Sequence, residues 1–407
     1  MIDSRRFPAY ALLALAMMFY CLDYYFRIAP SLVVTPLMLQ YQTSPLGIGG
    51  FASAFYLGYL LFQIPAGILL DNHSLRLCLV TSIVACVVAF VAFFFLHHYS
   101  TGYVLRLIVG ATSAFSFIAV LTIAKHHFQA KYFNIIAGIT ISVGTLVAAL
   151  IQYVSAQLLH RFIAQDVLIV IGLFGLVIAA LLMIMPMPKF DYIKKRRTST
   201  EKINALLREP RFILNALLGG LMYLPTSILA AVWGISFITN HYYVDEAYAS
   251  IGIFSLFLGW CVGAPLHSYI SRRVSNVNLW MGSMSFLAMG LILLLTYETN
   301  TVGHLFPHVL FTVGLVSSAQ VLVWDRVGKA VIDAQSGVAI ALTNVIMTLC
   351  SALFHPLLGF LFASKELTPG VIHFCHGIWV LPMLFLISSL LAFGMGVKNT
   401  ARQAQAT

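Results

Sequence analysis

YCLDYYFRIAP, residues 20–30, sets an acid and a base inside an apolar stretch that runs from Ala9 to Met38. At about 1.5 Å of rise per residue, a helix of that length exceeds a hydrocarbon layer about 30 Å thick. Asp23 falls near the midpoint of the stretch. An ionisable group there costs at least about 2.5–3.5 kcal/mol, so it faces a cavity or a partner and marks a pathway. Asp23 and Arg27 are four residues apart, which stacks them on one helical face with the acid N-terminal, the favourable order for an ion pair. Two readings stay open: a pair that only neutralises itself, and a site in which Arg27 and Tyr24 contact a substrate while Asp23 carries a proton. Tyr20, Tyr24 and Tyr25 bring hydroxyls beside the charges, as a polar site in an apolar wall requires.

The rest of the chain fits that opening. Hydrophobic residues make up 60% of its 407 positions and charged ones 9%, against roughly 25% charged in soluble domains. The mean hydropathy is +0.93. Long apolar runs exclude the alternating pattern of a membrane β-barrel, and the length suits about twelve helical spans joined by short loops. No cleavable signal peptide is expected, because the first apolar run far exceeds an h-region and lacks a small-residue cleavage site. The six cysteines lie in or at the ends of apolar runs without CxxC spacing. They are read as small core residues, with no metal site and no cofactor.

Breaks in hydropathy predict spans over 9–38, 46–70, 76–96, 101–124, 133–159 and 165–185, then 211–240, 247–270, 278–297, 304–324, 337–362 and 372–396. The expected fold is therefore an all-α membrane protein with twelve transmembrane helices. An N-terminal six-helix bundle over 1–185, a polar linker over 186–210 and a C-terminal six-helix bundle over 211–407 make up its domains. Lysine and arginine fix the orientation. With a cytoplasmic N-terminus, 19 of the 23 fall inside, including Lys194, Lys195, Arg196 and Arg197 of the linker. Arg161 and Lys365 fall outside, and Arg27 and Arg106 lie within spans. That asymmetry predicts both termini in the cytoplasm and the chain in the cell's inner membrane. The net charge of +10 then comes from the inner loops and their lipid headgroups, with no nucleic-acid partner implied.

The halves repeat. GYLLFQIPAGILLD, from Gly58 to Asp71, and GWCVGAPLHSYISRR, from Gly259 to Arg273, occupy matching places in the second and eighth spans. Each combines small residues that permit close helix approach with a proline and a polar inner end. Two six-helix halves related by pseudo-two-fold symmetry are the plan of secondary transporters with a midplane site between repeats.

Gly67-Ile-Leu-Leu-Asp71-Asn-His-Ser-Leu-Arg76 resembles the loop signature G-x-L-x-D-R-x-G-R-K/R of the major facilitator superfamily. Gly67, Leu69, Asp71 and Arg76 agree, while Asn72 and Ser74 depart from it. The resemblance implies that Gly67, Asp71 and Arg76 form a conformational latch. Arg106-Leu-Ile-Val-Gly110 is similar to the family's R-x-x-x-G pattern, which implies a substrate-side role for Arg106; a headgroup-snorkelling role is the alternative. The fifth span lacks the G-P pair of the drug antiporters, which points to uptake. GLMYLPTSILAAVWGISFI, GWCVGAP and GVAIALTNVIMTLCSALFHPLLGFL, beginning at Gly220, Gly259 and Gly337, resemble a bacterial branch near the anion:cation symporters, the lysosomal dipeptide-transporter relatives and the phagosomal nutrient transporters. By that resemblance Gln63 and Asn344 line the cavity; interhelical hydrogen bonds are their other reading. Nine of the 13 histidines fall toward outer span ends and four, His267 among them, toward inner ends. Amphipathic rings at headgroup level, or titration in an acidic compartment, account for such placement.

An embedded enzyme is disfavoured, because paired catalytic carboxylates at helical spacing, GxSxG, HExxH and nucleotide loops are all missing. A receptor would carry a sizeable soluble domain, and the longest polar segment is the linker. Secondary transport by a monomer is the remaining class. Arg27 suits a carboxylate or phosphate and Asp23 an amino group or a proton, so together they suit a zwitterion. An amino acid or short peptide is favoured, with protons as the candidate coupling ion. Organic-anion symport and export of a siderophore or drug-like compound are the alternatives.

Overall fold

A computed structural model describes residues 7–158, 161–188, 200–297, 304–324, 336–363 and 377–406. Twelve helices are long and apolar enough to cross a membrane, and the described residues contain no strand. They divide into two compact units, 1–197 and 198–407. The first holds α1 (Phe7–Ile28), α2 (Val34–Gln40), α3 (Pro45–Asn72), α4 (Leu75–Phe95), α5 (Tyr99–His127), α6 (Ala130–Leu158) and α7 (Ala164–Ile184). The second holds α8 (Thr200–Arg208), α9 (Pro210–Ile228), α10 (Gly234–Tyr242), α11 (Glu246–Ile270), α12 (Val277–Tyr297), α13 (Phe306–Ser317), α14 (Ser336–Ala363) and α15 (Val380–Ala406).

Three spans depart from the expected single rods. The first, expected over 9–38, breaks after Ile28 into a 3-10 turn over Ala29–Leu32, and α2 resumes beyond it. Pro30 is the cause: it has no amide to continue the ladder, and its ring crowds the carbonyl four residues back. Asp23 and Arg27 therefore sit in the last two turns of α1, not at the middle of a longer rod. α2 is held by Gln40, whose Nε2 donates to the carbonyls of Leu96 at 2.7 Å and Phe94 at 3.1 Å, acceptors that the end of α4 leaves open. The seventh span carries Pro225 in α9 and a π-helical turn over Leu229–Trp233 before α10. The tenth ends in a 3-10 turn over Ser318–Val321. The linker was expected to be polar throughout, but its second half forms α8. Ile203, Leu206 and Leu207 fall on one side of that helix, and Leu206 is buried with Phe212 and Ala339. The basic cluster Lys194–Arg197 lies outside the described residues.

Each unit pairs its helices in the same way. The second span packs most extensively on the fourth, α3 on α5, and the eighth on the tenth, α11 on α13. Third meets sixth and first meets fifth, as ninth meets twelfth and seventh meets eleventh. The glycines of the repeated motif explain the tightest pairs. A Cβ at Gly58 would collide with the Leu107 carbonyl and one at Gly110 with the Phe55 carbonyl. In the second unit Gly259 meets the Phe311 carbonyl and Gly314 the Leu256 carbonyl in the same reciprocal manner. Backbone cannot retreat as a side chain can, so Gly58→Leu and Gly259→Leu are each expected to destabilise by about 3 kcal/mol or more. Monodisperse yield after detergent extraction checks this, with Gly138→Leu, where a Cβ meets nothing, as the tolerated control.

In the second unit His267 is 1% exposed. Trp280 Nε1 can only donate, so His267 Nδ1 accepts at 3.1 Å and Nε2–H donates to the Leu315 carbonyl at 2.9 Å. A neutral ring in one tautomer thus ties α11 to α12 and α13.

Candidate functional site

Tyr20, Asp23, Tyr24 and Arg27 recur at helical spacing on α1; Asp23 and Arg27 face α5 and α3, while Tyr20 and Tyr24 also pack beside Gly144 of α6. From α3 come Phe55, Tyr56, Tyr59 and Gln63, and from α5 come Arg106, Ser113 and Ser116, each set again on one face. The contacts between these three helices produce a layered polar site in the first unit.

Asp23 forms its base and is 0% exposed. Its Oδ2 lies 3.6 Å from Arg27 Nη2 and accepts a hydrogen bond from Ser116 Oγ at 3.2 Å, while Oδ1 has no hydrogen-bond partner. Beyond it, Ser113 Oγ lies 3.7 Å from Cys86 Sγ, so the polar string reaches α4. A buried carboxylate is expensive, and one cation with the neighbouring hydroxyls of Ser113 and Ser116 offsets only part of that cost.

Arg27 forms the next layer, enclosed by four aromatic rings. Its Cζ lies 4.6 Å from the ring centre of Tyr24, 5.2 Å from Tyr59, 5.3 Å from Phe55 and 5.6 Å from Tyr56. Ring faces attract a guanidinium electrostatically, about 2 kcal/mol or more for a desolvated contact, while its N–H edges reach toward Asp23 and the Tyr59 hydroxyl. Gln63 is buried and lies one turn beyond Tyr59, within hydrogen-bonding reach of its hydroxyl. The three α3 rings were not singled out in the sequence, although Phe55, Tyr56, Tyr59 and Gln63 fall on one face of the GGFASAFYLGYLLFQ stretch.

Arg106 lies inside the first unit, beside the Arg27 layer. It is 2% exposed and does not reach a headgroup. Its Nη1 donates to the Phe26 carbonyl at 2.8 Å, its Nε approaches the Phe51 carbonyl at 3.5 Å, and its Cζ lies 5.0 Å from the Phe55 ring centre. Phe26 is the residue whose carbonyl would accept from position 30 in an unbroken helix. A charged donor there contributes about 1.5–3 kcal/mol.

The remaining candidates lie elsewhere. Arg76 Nη2 donates to the Met185 carbonyl at the end of α7, a contact inside the first unit. Gly67 has only Ile118 Cγ2, at 4.0 Å, near a built Cβ, so packing inside its unit does not demand a glycine. Asp71 is within α3, and its side chain lies outside the described residues. Asn344 is half-buried on α14, in the second unit. Among the described residues no cluster of His, Cys, Asp or Glu could hold a metal ion.

The sequence profile of the Major Facilitator Superfamily matches residues 13–355. No curated protein sequence matches the chain. Among solved structures, a bacterial homologue of the human lysosomal transporter Spinster superposes with a TM-score of 0.76 at 13% identity, covering 96% of this chain and 97% of that one. The D-xylose–proton symporter gives 0.74 at 11% identity, over 95% and 97% of the two chains. The nucleoside transporter NupG gives 0.73 at 13%, over 94% and 98%. At such identities the likeness is one of fold. The profile match spans most of the chain and meets twelve membrane-spanning helices built as two similarly paired six-span units: the chain belongs to the major facilitator superfamily, as a multi-pass membrane transporter.

Proposed function

We propose that the protein is a secondary active transporter that moves a small zwitterionic or anionic solute, an amino acid or short peptide in the favoured case, and couples that movement to protons. The observation that carries the reading is the Arg27 layer: a cation held in ring faces, with a fully buried acid one turn before it. Arg27 engages the solute's carboxylate through its N–H edges, Tyr24 and Gln63 offer hydrogen bonds beside it, and Asp23 exchanges the proton. A carboxylate on Arg27 competes with Asp23 for the same charge, so binding and protonation are thermodynamically linked. Asn344, on α14 of the second unit, is a further candidate solute contact. Gly67, Asp71 and Arg76 are the proposed latch. The monomer, the inner membrane and cytoplasmic termini complete the reading.

Nucleosides and sugars belong to the structural neighbours at 11–13% identity and do not carry over. Uptake of labelled amino acids, dipeptides and monocarboxylates into proteoliposomes, with and without an imposed proton gradient, tests the proposal. Gradient-stimulated uptake of at least one zwitterion or carboxylate is expected. Uptake restricted to neutral sugars or nucleosides would overturn the solute class.

A further inference from the structure

We infer that Arg106 is a positioning residue for Arg27, standing in for the backbone amide that Pro30 lacks. The inference rests on the reading of Arg27 as the solute-binding cation. In a continuous helix the Phe26 carbonyl would accept from the amide of residue 30, and proline has none. α1 accordingly stops at Ile28, and the orphaned carbonyl is buried among apolar neighbours where water cannot reach it. Arg106 Nη1, arriving from α5, takes the place of that amide at 2.8 Å. The close glycine pairing of α5 with α3, Gly110 on Phe55 and Gly58 on Leu107, brings Arg106 to that depth.

The consequence falls on the adjacent residue. Arg27 follows Phe26, so whatever anchors the Phe26 carbonyl fixes the last turn that carries Arg27. The Phe55 ring is shared: its centre lies 5.0 Å from Arg106 Cζ and 5.3 Å from Arg27 Cζ. One ring therefore attracts both cations. Backbone anchor and shared ring together determine how far Arg27 stands from Asp23.

The test is a four-protein cycle on the full chain: wild type, R106M, P30A and P30A/R106M. Unfolding in detergent is followed by a fluorogenic maleimide that reacts as the buried Cys21, Cys78 and Cys86 become exposed. R106M should unfold many degrees below wild type or fail to fold. P30A/R106M should recover most of that loss, because the introduced alanine supplies the amide and the carbonyl no longer needs Arg106. Equal loss in both backgrounds, or failure of the double variant to fold, overturns the inference. R106K, which keeps a charged donor, should fall between R106M and wild type; no gain over R106M counts against the anchor.

Positioning has its own readout. A hydrophobic carbodiimide labels only a protonated acid, and D23N supplies the blank. Displacing Arg27 strips Asp23 of its counter-charge, so labelling at neutral pH should rise several-fold in R106K or R106M and fall back in P30A/R106M. Unchanged labelling would leave Arg106 a purely structural brace and overturn the positioning role. Neither measurement uses a solute, so a negative uptake screen overturns the proposed solute while this cycle still decides the role of Arg106.

Discussion

Asp23→Asn is expected to keep solute binding and counterflow exchange and to lose gradient-driven accumulation at least tenfold. The substitution is nearly isosteric, and the amide oxygen can still accept from Ser116 Oγ, which now reaches the carboxylate at 3.2 Å. Arg27 loses its counter-ion but keeps four ring faces within 5.6 Å. A desolvated guanidinium gains about 2 kcal/mol or more from a well-placed ring, enough to hold it in its layer. With the acid gone, a bound carboxylate no longer competes for Arg27, so half-saturation in exchange should hold or improve. What disappears is the carboxylate to which the proposed coupling assigns the proton. The measurement compares counterflow with uptake under an imposed proton gradient in the same proteoliposomes. If well-folded Asp23→Asn protein still concentrates solute against its gradient, the proton is carried elsewhere.

The parts of this architecture that were legible in the sequence are those set by hydropathy over twenty residues. Eleven of the expected spans lie within a few residues of the helices, or helix runs, that the structure contains over its described residues, because bilayer thickness imposes their length. The first span shows the limit of that reading. Hydropathy averages side chains and cannot register a missing backbone donor, so the run from Ala9 to Met38 looked continuous although Pro30 stood in it. Once the proline is read as an orphaned carbonyl at Phe26, a buried donor from another helix becomes a requirement, and Arg106 was the only other cation within a span. α8 was missed for the opposite reason: TEKINALLR is too polar to register as apolar, yet its Ile203, Leu206 and Leu207 follow a helical period. The repeated glycines were readable as a repeat; their partners, the carbonyls of Leu107 and Phe311, depend on how helices dock and leave no trace in the local pattern. The same holds for the rings around Arg27. Tyr24 was found because it shares α1 with the charges, whereas Phe55, Tyr56 and Tyr59 arrive from α3 through tertiary register.

Arg27→Ala should abolish both exchange and accumulation, and it should cost more stability than Asp23→Asn. Removing the arginine leaves a fully buried carboxylate whose Oδ2 keeps the Ser116 hydroxyl, with Oδ1 already unsatisfied. Breaking a buried pair from one side costs about 3–5 kcal/mol, because the surviving charge stays in a low-dielectric interior. Here the survivor is the partner with fewer compensating contacts, since Asp23 has no ring faces to rely on. The substitution also empties the centre of the aromatic box and exposes four ring faces to the cavity it creates. A structural pair and a functional pair predict different behaviour for the uncharged double variant, Asp23→Asn with Arg27→Leu. If the two charges only neutralise each other, replacing both with neutral groups of similar volume is close to neutral in stability and transport returns. If Arg27 binds the solute and Asp23 carries the proton, stability returns in the double variant and transport does not. Unfolding temperature and counterflow, measured on wild type, Asp23→Asn, Arg27→Leu and the double variant, separate the two: recovery of both in the double variant would reduce the Asp23–Arg27 pair to a brace, and recovery of stability alone would identify it as the site of exchange.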